Sequence, residues 1–441
     1  MDISRLKQIA KDAGIAGAGG AGFPTYAKID ARAKTVLLNC AECEPLLRAN
    51  RRLVALYAAE ILSAFELIRT TVGAERGIVC VKKNYGEAIA ALEGAIFGYA
   101  ALTIKKLQSV YPSGDEVVLI YEATGTVVRP GGLPVESGVA VFNAETVYNL
   151  SQALKGRPVT DKYLTVTGAV SAPKTVLAPL GMTLAEVVAA AGGATVDSPA
   201  YLVGGPMMGA FKSPADAVTK TTNAVIVLPS DHLLVNRARQ SEKTDVRRAA
   251  ACCCQCRICT DLCPRRALGH PIEIHRLMNA ALCKNARDTE AFVGALYCSG
   301  CGLCTAYACP QGLNPKGLAE TVKRALKKSG LKPESTPLPV DPLRAYRRIP
   351  TSRLVSRLGL APYVAAAPID RTRLAPDRVR LPLSQHIGAP SVPCVREGDV
   401  VSWGQPVAAP AEGALSLPVH ASLGGRVTAV TDRHIIIEVQ A

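Results

Sequence analysis

The spacing of hydrophobic residues along the chain predicts helices and strands in mixed order. Residues 3–13 carry apolar side chains at helical intervals, and the run KTVLLN (34–39) has the continuous apolar character of a buried strand. Residues 160–193 alternate apolar and polar positions, turn at an Ala-Pro pair and end in Gly-Gly, which predicts a β-hairpin followed by a helix. Residues 378–441 are rich in short strand-like segments. The pattern therefore predicts α/β and α+β units followed by an all-β tail.

The composition is that of a folded protein with several domains. The chain has 441 residues, of which 49% are hydrophobic and 20% charged. No apolar run reaches the ~18 residues of a membrane span, and the first dozen residues carry charges throughout. We therefore predict no transmembrane helix, no signal peptide and a cytoplasmic location. In that reducing setting, clustered cysteines are metal ligands or redox groups more often than disulfides.

Positive charge is concentrated in one segment. The net charge is +15, and residues 320–380 hold fourteen Lys and Arg against five Asp and Glu. Such a segment can attract nucleic acid, an anionic membrane or an acidic protein. No aromatic residues interleave with the arginines and no DNA-binding motif is present, so we expect no nucleic-acid partner. We interpret residues 331–377 as a solvated basic linker that faces a protein partner.

Two dense runs contain eight of the fifteen cysteines, and each run ends in Cys-Pro. In such runs three cysteines spaced by two residues hold one iron–sulfur cluster, while the fourth reaches the other cluster. We predict that one [4Fe–4S] cluster is held by Cys253, Cys256, Cys259 and Cys309. We predict that the second is held by Cys298, Cys301, Cys304 and Cys263. Zinc is the alternative, although a third thiolate at this spacing is not typical of zinc sites.

The runs also contain two irregularities. One extra residue precedes Cys309, which would require a bulge, and Cys252 and Cys254 offer other registers that break the spacing. Two further cysteines, Cys80 and Cys283, are predicted to be small buried hydrophobic residues.

A glycine-rich segment, GIAGAGGAGFPTYAK (14–28), lies near the N-terminus. Glycines let backbone N–H groups approach a phosphate closely. Three further blocks follow in order: NCAECEP (39–45), YPSGDE (111–116) and VFNAET (141–146). Together the four blocks resemble the NADH-oxidising flavoprotein subunit of respiratory complex I.

That resemblance implies a site for FMN and NADH, in which flavin accepts a hydride and releases single electrons. It implies that the FMN phosphate and ribityl chain are cradled by Gly17, Gly19, Gly20 and Lys28. The flavin would be lined by Asn39, Glu42, Tyr111, Gly114, Asn143 and Thr146. Phe23 would stack on the nicotinamide nucleotide, beside Glu44, Asp115 and Glu116. The alternative interpretation makes the two glutamates of NCAECEP surface acids and Tyr111 a core residue. Departures at Ala18, Ala41 and Leu133 leave the choice between NADH and NADPH open.

The remaining segments carry two more resemblances. Residues 160–211, including LVGGPMMGAF, resemble the soluble-ligand-binding β-grasp (SLBB) domain of the same family. In that block we expect Met207 and Met208 to pack in the core or in a turn. The tail resembles a lipoyl-like barrel-sandwich hybrid, but its PVHASLGG hairpin lacks the carrier lysine, so we expect a docking or structural module. In the tail, His386 and His420 are interpreted as turn histidines.

The predicted fold class is multidomain α/β and α+β. Its parts are an FMN/NADH-binding domain resembling the complex I flavoprotein, an SLBB domain, a ferredoxin-like helical dicluster domain, a basic linker and a barrel-sandwich hybrid. Their expected ranges are 1–155, 156–245, 246–330, 331–377 and 378–441.

This order of domains resembles two families. One is the C-type component of the membrane-bound Rnf ferredoxin:NAD oxidoreductase; the other, which also has the barrel at its C-terminus, is the cobalamin reductase of the propanediol-utilisation microcompartment. The second resemblance implies an NADH-dependent cob(III)/cob(II)alamin reductase with FMN, two clusters and a corrinoid as substrate. It also implies a bacterial microcompartment, with cobalamin adenosyltransferase and shell proteins as partners; oligomeric state stays open. The alternatives are an Rnf-type NAD:ferredoxin electron-transfer protein and a non-catalytic iron–sulfur scaffold. Residues 3–13 are either a packaging helix or the first helix of the flavin domain.

Overall fold

The first 155 residues form an α/β unit around a parallel sheet. The structure is a computed structural model that describes residues 1–283, 288–331 and 335–439. The elements of this unit are α1 (Ile3–Asp12), β1 (Thr35–Asn39), α2 (Ala49–Val72), β2 (Arg76–Lys82), α3 (Gly86–Ala95), β3 (Leu102–Leu107), β4 (Val110–Tyr111), α4 (Glu116–Thr124), β5 (Val139–Asn143) and α5 (Ala144–Ala153).

The sheet has the order β3-β2-β1-β5, and its three pairings are parallel. Alternate strand residues point to opposite faces, so Leu38 packs with α2 and α5 while Leu37 packs with α4. The first helix belongs to this unit, because Leu6 and Ala10 on its apolar face are fully buried in the same core as α2. That contact favours the first-helix interpretation of residues 3–13.

The second unit is the predicted β-grasp domain. Its elements are β6 (Asp161–Gly168), β7 (Lys174–Pro179), α6 (Leu184–Ala190), β8 (Pro199–Val203), β9 (Ala210–Lys212), β10 (Ala224–Pro229) and α7 (Leu233–Ala238). Strands β6 and β7 form the expected antiparallel hairpin. Thr183 caps α6 in a capping box with Glu186, which fixes where the helix begins.

The third unit is helical and carries the cysteine runs. Its helices are α8 (Glu242–Cys252), α9 (Ile258–Asp261), α10 (Pro264–Ala267), α11 (Ile274–Leu282), α12 (Thr289–Gly294) and α13 (Pro315–Lys328). A π-helical turn over Cys304–Ala308 accommodates the extra residue before Cys309, whose N–H donates to the carbonyl of Cys304 at 3.1 Å. This turn is the bulge that the spacing required.

Residues 331–377 were predicted to be a solvated linker, and this interpretation is wrong for their described C-terminal part. This stretch contains β11 (Ile349–Pro350), α14 (Thr351–Arg357) and β12 (Ile369–Arg373). Strand β11 pairs with β4 of the flavin unit, and β12 joins the edge of the β-grasp sheet, giving the order β12-β7-β6-β10-β8-β9. Apolar side chains drive this docking, since Leu354, Leu358 and Leu360 are fully buried.

The tail forms two small antiparallel sheets. Its strands are β13 (Arg378–Pro382), β14 (Val392–Pro393), β15 (Val400–Val401), β16 (Pro406–Ala409), β17 (Val419–His420), β18 (Gly425–Val430) and β19 (His434–Glu438). They are arranged as β13-β19-β18-β15 and β14-β16-β17. Across the described ranges, no helix combines the length and apolar character needed to cross a membrane.

Candidate flavin cavity and cysteine sites

A cavity of about 670 Å³ lies at the carboxyl ends of β1 and β5. These strands are neighbours although the chain visits β2 and β3 between them, so the cavity lies where the strand order reverses, the usual ligand crevice of an open α/β sheet. Its volume is within the roughly 300–1,000 Å³ of small-molecule sites. All fourteen predicted flavin and nucleotide residues line it: Gly17, Gly19, Gly20, Phe23, Lys28, Asn39, Glu42, Glu44, Tyr111, Gly114, Asp115, Glu116, Asn143 and Thr146.

The glycine-rich loop leaves its backbone open to this cavity. The loop is closed by an N–H of Gly17 donating to the Phe23 carbonyl at 2.8 Å. A Cβ on Gly19 would stand 3.3 Å from the Asn143 amide nitrogen, and Gly20 has φ +105°, which favours glycine. The N–H of Ala18 donates to the Thr146 hydroxyl at 2.9 Å. This narrow cradle, with glycine where side chains would obstruct it, fits the phosphate end of FMN.

The NCAECEP segment is fixed against the YPSGDE segment. Asn39 donates its amide to the Gly114 carbonyl at 3.0 Å and accepts from the Ala41 N–H at 3.0 Å. The Cys43 sulfur accepts from the Gly114 N–H at 2.8 Å, and burial raises the pKa of this thiol to about 12. A Cβ on Gly114 would stand only 2.3 Å from the Ala41 carbonyl oxygen, so this close approach requires glycine.

Three of the predicted acidic residues have partners within the protein. Glu42 accepts from the N–H of Asn50 and from the Arg51 guanidinium, both at 2.9 Å, at the start of α2. Glu116 pairs with Lys28 at 2.7 Å. Asp115 caps α4 and pairs at 3.0 Å with Arg265 of the helical cysteine unit. These carboxylates therefore organise the walls of the cavity as well as lining it.

Glu44 is the least neutralised acid in the cavity. One carboxylate oxygen accepts from the Met207 N–H at 2.8 Å, while the other is buried without a hydrogen-bond partner among the described residues. Burial raises the pKa of Glu44 to about 7. Tyr111, also buried here, donates its hydroxyl to the Cys301 carbonyl at 2.5 Å. This part of the cavity thus adjoins the cysteine unit.

The β-grasp domain supplies a second wall that the sequence analysis did not assign. This wall includes Gly205, Met208, Thr221 and Asn223. Met207 is buried, but Met208 is 55% exposed at the cavity, so the expectation of core packing is wrong for Met208. A signal was present in the two lysines within apolar stretches of this domain, Lys162 and Lys220, because a lysine in such a context is buried only when its ammonium has partners.

The structure brings the predicted cysteines together in the crossed arrangement. One cavity is lined by Cys253, Cys256, Cys259 and Cys309, here called the outer set. Burial of Cys263 raises the pKa of its thiol to about 11, and neighbouring Cys298 adds to that rise. The pKa values of Cys301 and Cys304 are raised mainly by burial and further by Cys263 and Cys298. Those four residues, Cys263, Cys298, Cys301 and Cys304, are here called the inner set.

The chemistry of both sets fits [4Fe–4S] clusters. Each offers four sulfur donors, and buried thiols with raised pKa values release their protons when a metal ligates them. In the described part of the chain, no three His, Cys, Asp or Glu side chains are grouped as ligands of a single metal ion. The sets differ in access: Cys301 lines the flavin cavity, whereas Cys256 is exposed.

The remaining cysteines and histidines lie outside these sets. Cys80 is buried in the sheet, but Cys283 is exposed at the end of α11, so the prediction of a buried Cys283 is wrong. His386 accepts from the Leu417 N–H at 3.2 Å, as a turn histidine does. His420 is buried, and its Nδ1 has no hydrogen-bond partner among the described residues.

Family models match four segments of the chain. The Nuo51 FMN-binding domain matches residues 10–152, the SLBB domain 163–211, the 4Fe-4S dicluster domain 252–314 and the RnfC barrel sandwich hybrid domain 363–440. These matches confirm the predicted fold class and its four domain types. The last match begins inside the segment predicted to be a linker.

Three curated relatives show the range of similarity. The chain is 42% identical over 438 residues to cobalamin reductase PduS of Citrobacter freundii, covering 99% of this chain and 97% of that protein. It is 41% identical over 439 residues to cobalamin reductase PduS of Salmonella typhimurium, with the same coverage. It is 34% identical over 271 residues to the C-type component of the Na(+)-translocating ferredoxin:NAD(+) oxidoreductase complex of Acetobacterium woodii, covering 60% of this chain and 58% of that protein.

Proposed function

The chain belongs to the cobalamin reductase PduS family, and we propose that it transfers electrons from NADH through FMN and two [4Fe–4S] clusters to a corrinoid. One observation carries this proposal: the cavity lined by the fourteen flavin-site residues is also lined by Cys301 of the inner set. A flavin bound there would adjoin a cluster ligand directly. Bound flavin converts a two-electron hydride donor into a source of single electrons.

The residues of the cavity divide the work of binding. We assign the FMN phosphate and ribityl chain to Gly17, Gly19, Gly20 and Lys28. The flavin is lined by Asn39, Glu42, Tyr111, Gly114, Asn143 and Thr146. Phe23 stacks on the nicotinamide nucleotide beside Glu44, Asp115 and Glu116. The Lys28–Glu116 and Asp115–Arg265 pairs hold these walls at fixed spacing and join the flavin unit to the cysteine unit.

The two cysteine sets give the protein an inner and an outer end. The inner set borders the flavin cavity, and the outer set opens at the surface through Cys256. A corrinoid is much bulkier than a nicotinamide ring, and FMN with a dinucleotide would occupy the flavin cavity. We therefore infer that the corrinoid meets the protein at the outer set.

Family membership also supports a cellular setting. We infer that the protein works inside a bacterial microcompartment, with cobalamin adenosyltransferase and shell proteins as its partners. The exposed surface of α1 would be available to such a partner, but its apolar face is not, because Leu6 and Ala10 are fully buried.

An anaerobic stopped-flow experiment tests the proposed function. Protein loaded with FMN and reconstituted with iron and sulfide is mixed with NADH and then with hydroxocobalamin, while flavin, iron–sulfur and corrinoid absorbance are followed. We expect flavin bleaching and then a shift of the corrinoid bands at a catalytic rate. Reduction of ferredoxin without reduction of the corrinoid would refute the acceptor and favour the Rnf-type alternative. Failure of NADH to reduce the protein would refute the whole proposal.

A further inference from the structure

A turn of the β-grasp domain, Thr219–Asn223, faces the glycine-rich loop across the flavin cavity. The turn is closed by the Thr222 N–H donating to the Thr219 carbonyl at 3.0 Å, and by the Thr219 N–H donating to the Thr222 hydroxyl at 3.0 Å. The amide nitrogen of Asn223 lies 3.3 Å from the point where a Cβ on Gly20 would stand. This turn therefore covers the loop that cradles the phosphate.

Asn223 has donor capacity to spare at this position. Its side chain is partly buried, lines the cavity and makes no hydrogen bond to any described residue. Its neighbour Thr221 also lines the cavity, and the Thr221 methyl carbon lies 3.0 Å from the corresponding point on Gly22. An amide N–H beside a glycine-rich loop is suited to a phosphate oxygen, and hydrogen bonds to charged groups are among the stronger ones.

We propose that Asn223 binds the phosphate end of FMN, and that Lys220 is the positioning residue that holds its turn. The flavin site is then completed by a second domain rather than by the flavin domain alone. This inference rests on the proposed function, because it names a further group at the same FMN site.

Lys220 is built as an anchor. It is 2% exposed, and its ammonium donates to the Gly14 carbonyl at 2.8 Å and to the Pro418 carbonyl at 2.9 Å. Its backbone N–H donates to the Gln385 side-chain carbonyl at 3.1 Å. A single side chain thus ties the turn to the residue that opens the glycine-rich loop and to the C-terminal barrel.

Among the described residues, no acidic side chain pairs with the ammonium of Lys220. Burial lowers the pKa of Lys220 to about 7, and the titratable groups that face it are two histidines, His386 and His420. The barrel also holds the other end of the loop, because the Ile387 N–H donates to the Gly22 carbonyl at 2.9 Å. A buried lysine on neutral carbonyls is costly, which points to a specific positioning role.

Flavin titration of the full-length protein, with its FMN removed, tests the proposal. We compare the dissociation constants for FMN and for riboflavin, which lacks the phosphate, by quenching of flavin fluorescence. We expect Asn223→Ala to weaken FMN about tenfold or more and to leave riboflavin unchanged. The control Asn236→Ala, an exposed asparagine on α7 of the same domain, should change neither constant. Equal weakening of FMN and riboflavin by Asn223→Ala, or no weakening of either, would overturn the role of Asn223.

A double-mutant cycle tests the positioning role. We expect Lys220→Met to weaken FMN more than riboflavin, and Lys220→Met with Asn223→Ala to bind FMN no more weakly than Lys220→Met alone. Fully additive losses, or a Lys220→Met variant that binds FMN like the wild type, would overturn this role. If the wild-type protein itself fails to bind FMN, the proposed function fails, whereas normal wild-type binding with unaffected variants sinks only the further inference.

Discussion

A buried ion pair beneath the glycine-rich loop links the first two domains. Lys162 on β6 pairs with Glu145 in the first turn of α5, and both side chains are 2% exposed. Glu145 also accepts from the Tyr163 N–H at 3.2 Å, and Lys162 donates to the Ala18 carbonyl at 3.3 Å. Burial raises the pKa of Glu145, while the charge of Lys162 opposes that rise. We predict that Lys162→Met is strongly destabilising.

The magnitude follows from the burial of both charges. Removing one partner of such a pair costs about 3–5 kcal/mol, because the other charge is left buried and unpaired. For a unit of roughly 150–250 residues, this corresponds to a fall in melting temperature on the order of 10 °C. Replacing both partners, with Lys162→Met and Glu145→Leu, should restore much of the loss, since two apolar side chains can fill the space without a buried charge.

Thermal unfolding of the full chain, followed by circular dichroism, measures these changes. The control is Lys155→Met, which removes an ion pair with Glu60 whose side chains are 52% and 37% exposed; we expect it to cost about 1 kcal/mol or less. Equal midpoints for Lys162→Met and Lys155→Met would refute the reasoning. A double variant less stable than Lys162→Met alone would also refute it.

Three further predictions concern the cysteines, the glycine-rich loop and the cavity acid. Cys256→Ala should lose about half of the bound iron with flavin retained, whereas Cys254→Ala, also exposed but outside the spacing, should keep full iron content; a colorimetric iron assay decides, and equal loss in both would refute the register. Gly19→Val should abolish FMN binding, because its Cβ would stand 3.3 Å from the Asn143 amide and its methyls would enter the cradle; full flavin absorbance after purification would contradict this. Burial raises the pKa of Glu44 from 4.5 to about 7, so the native state keeps a proton that the unfolded chain releases, and stability should fall by about 3 kcal/mol as pH rises through that interval. Glu44→Gln should remove this fall in melting temperatures compared across the interval, and an unchanged pH dependence would refute the assignment.

The cysteine sites were largely predictable from sequence because their information is local. A cluster draws three ligands from one short loop, so the spacing around Cys256 and Cys301 determines which sulfurs can meet. The extra residue before Cys309 was expected to need a bulge, and the π-helical turn at Cys304–Ala308 supplies it. The glycines near Gly19 are informative for the same reason, since close backbone approach excludes larger side chains.

The second wall of the cavity could not be predicted in this way. Asn223 and Gly20 are about two hundred residues apart, and no periodicity relates positions that meet only through packing of separate domains. The basic linker was misjudged because charge composition does not reveal pairing. Arg344 contacts Glu122 of α4, and Arg347 pairs with Asp341, so part of the positive charge is already neutralised within the fold.

The C-terminal barrel acquires a role from these contacts that its sequence did not indicate. A carrier domain presents a lysine on its hairpin to an enzyme, but here the corresponding hairpin presents the Pro418 carbonyl to Lys220. The N–H of Ile387 on a neighbouring loop reaches the Gly22 carbonyl. The barrel therefore acts on the beginning and the end of the glycine-rich loop at once. Because a loop held at both ends loses less conformational entropy when it binds a ligand, the barrel would preorganise the FMN site instead of delivering a substrate to it.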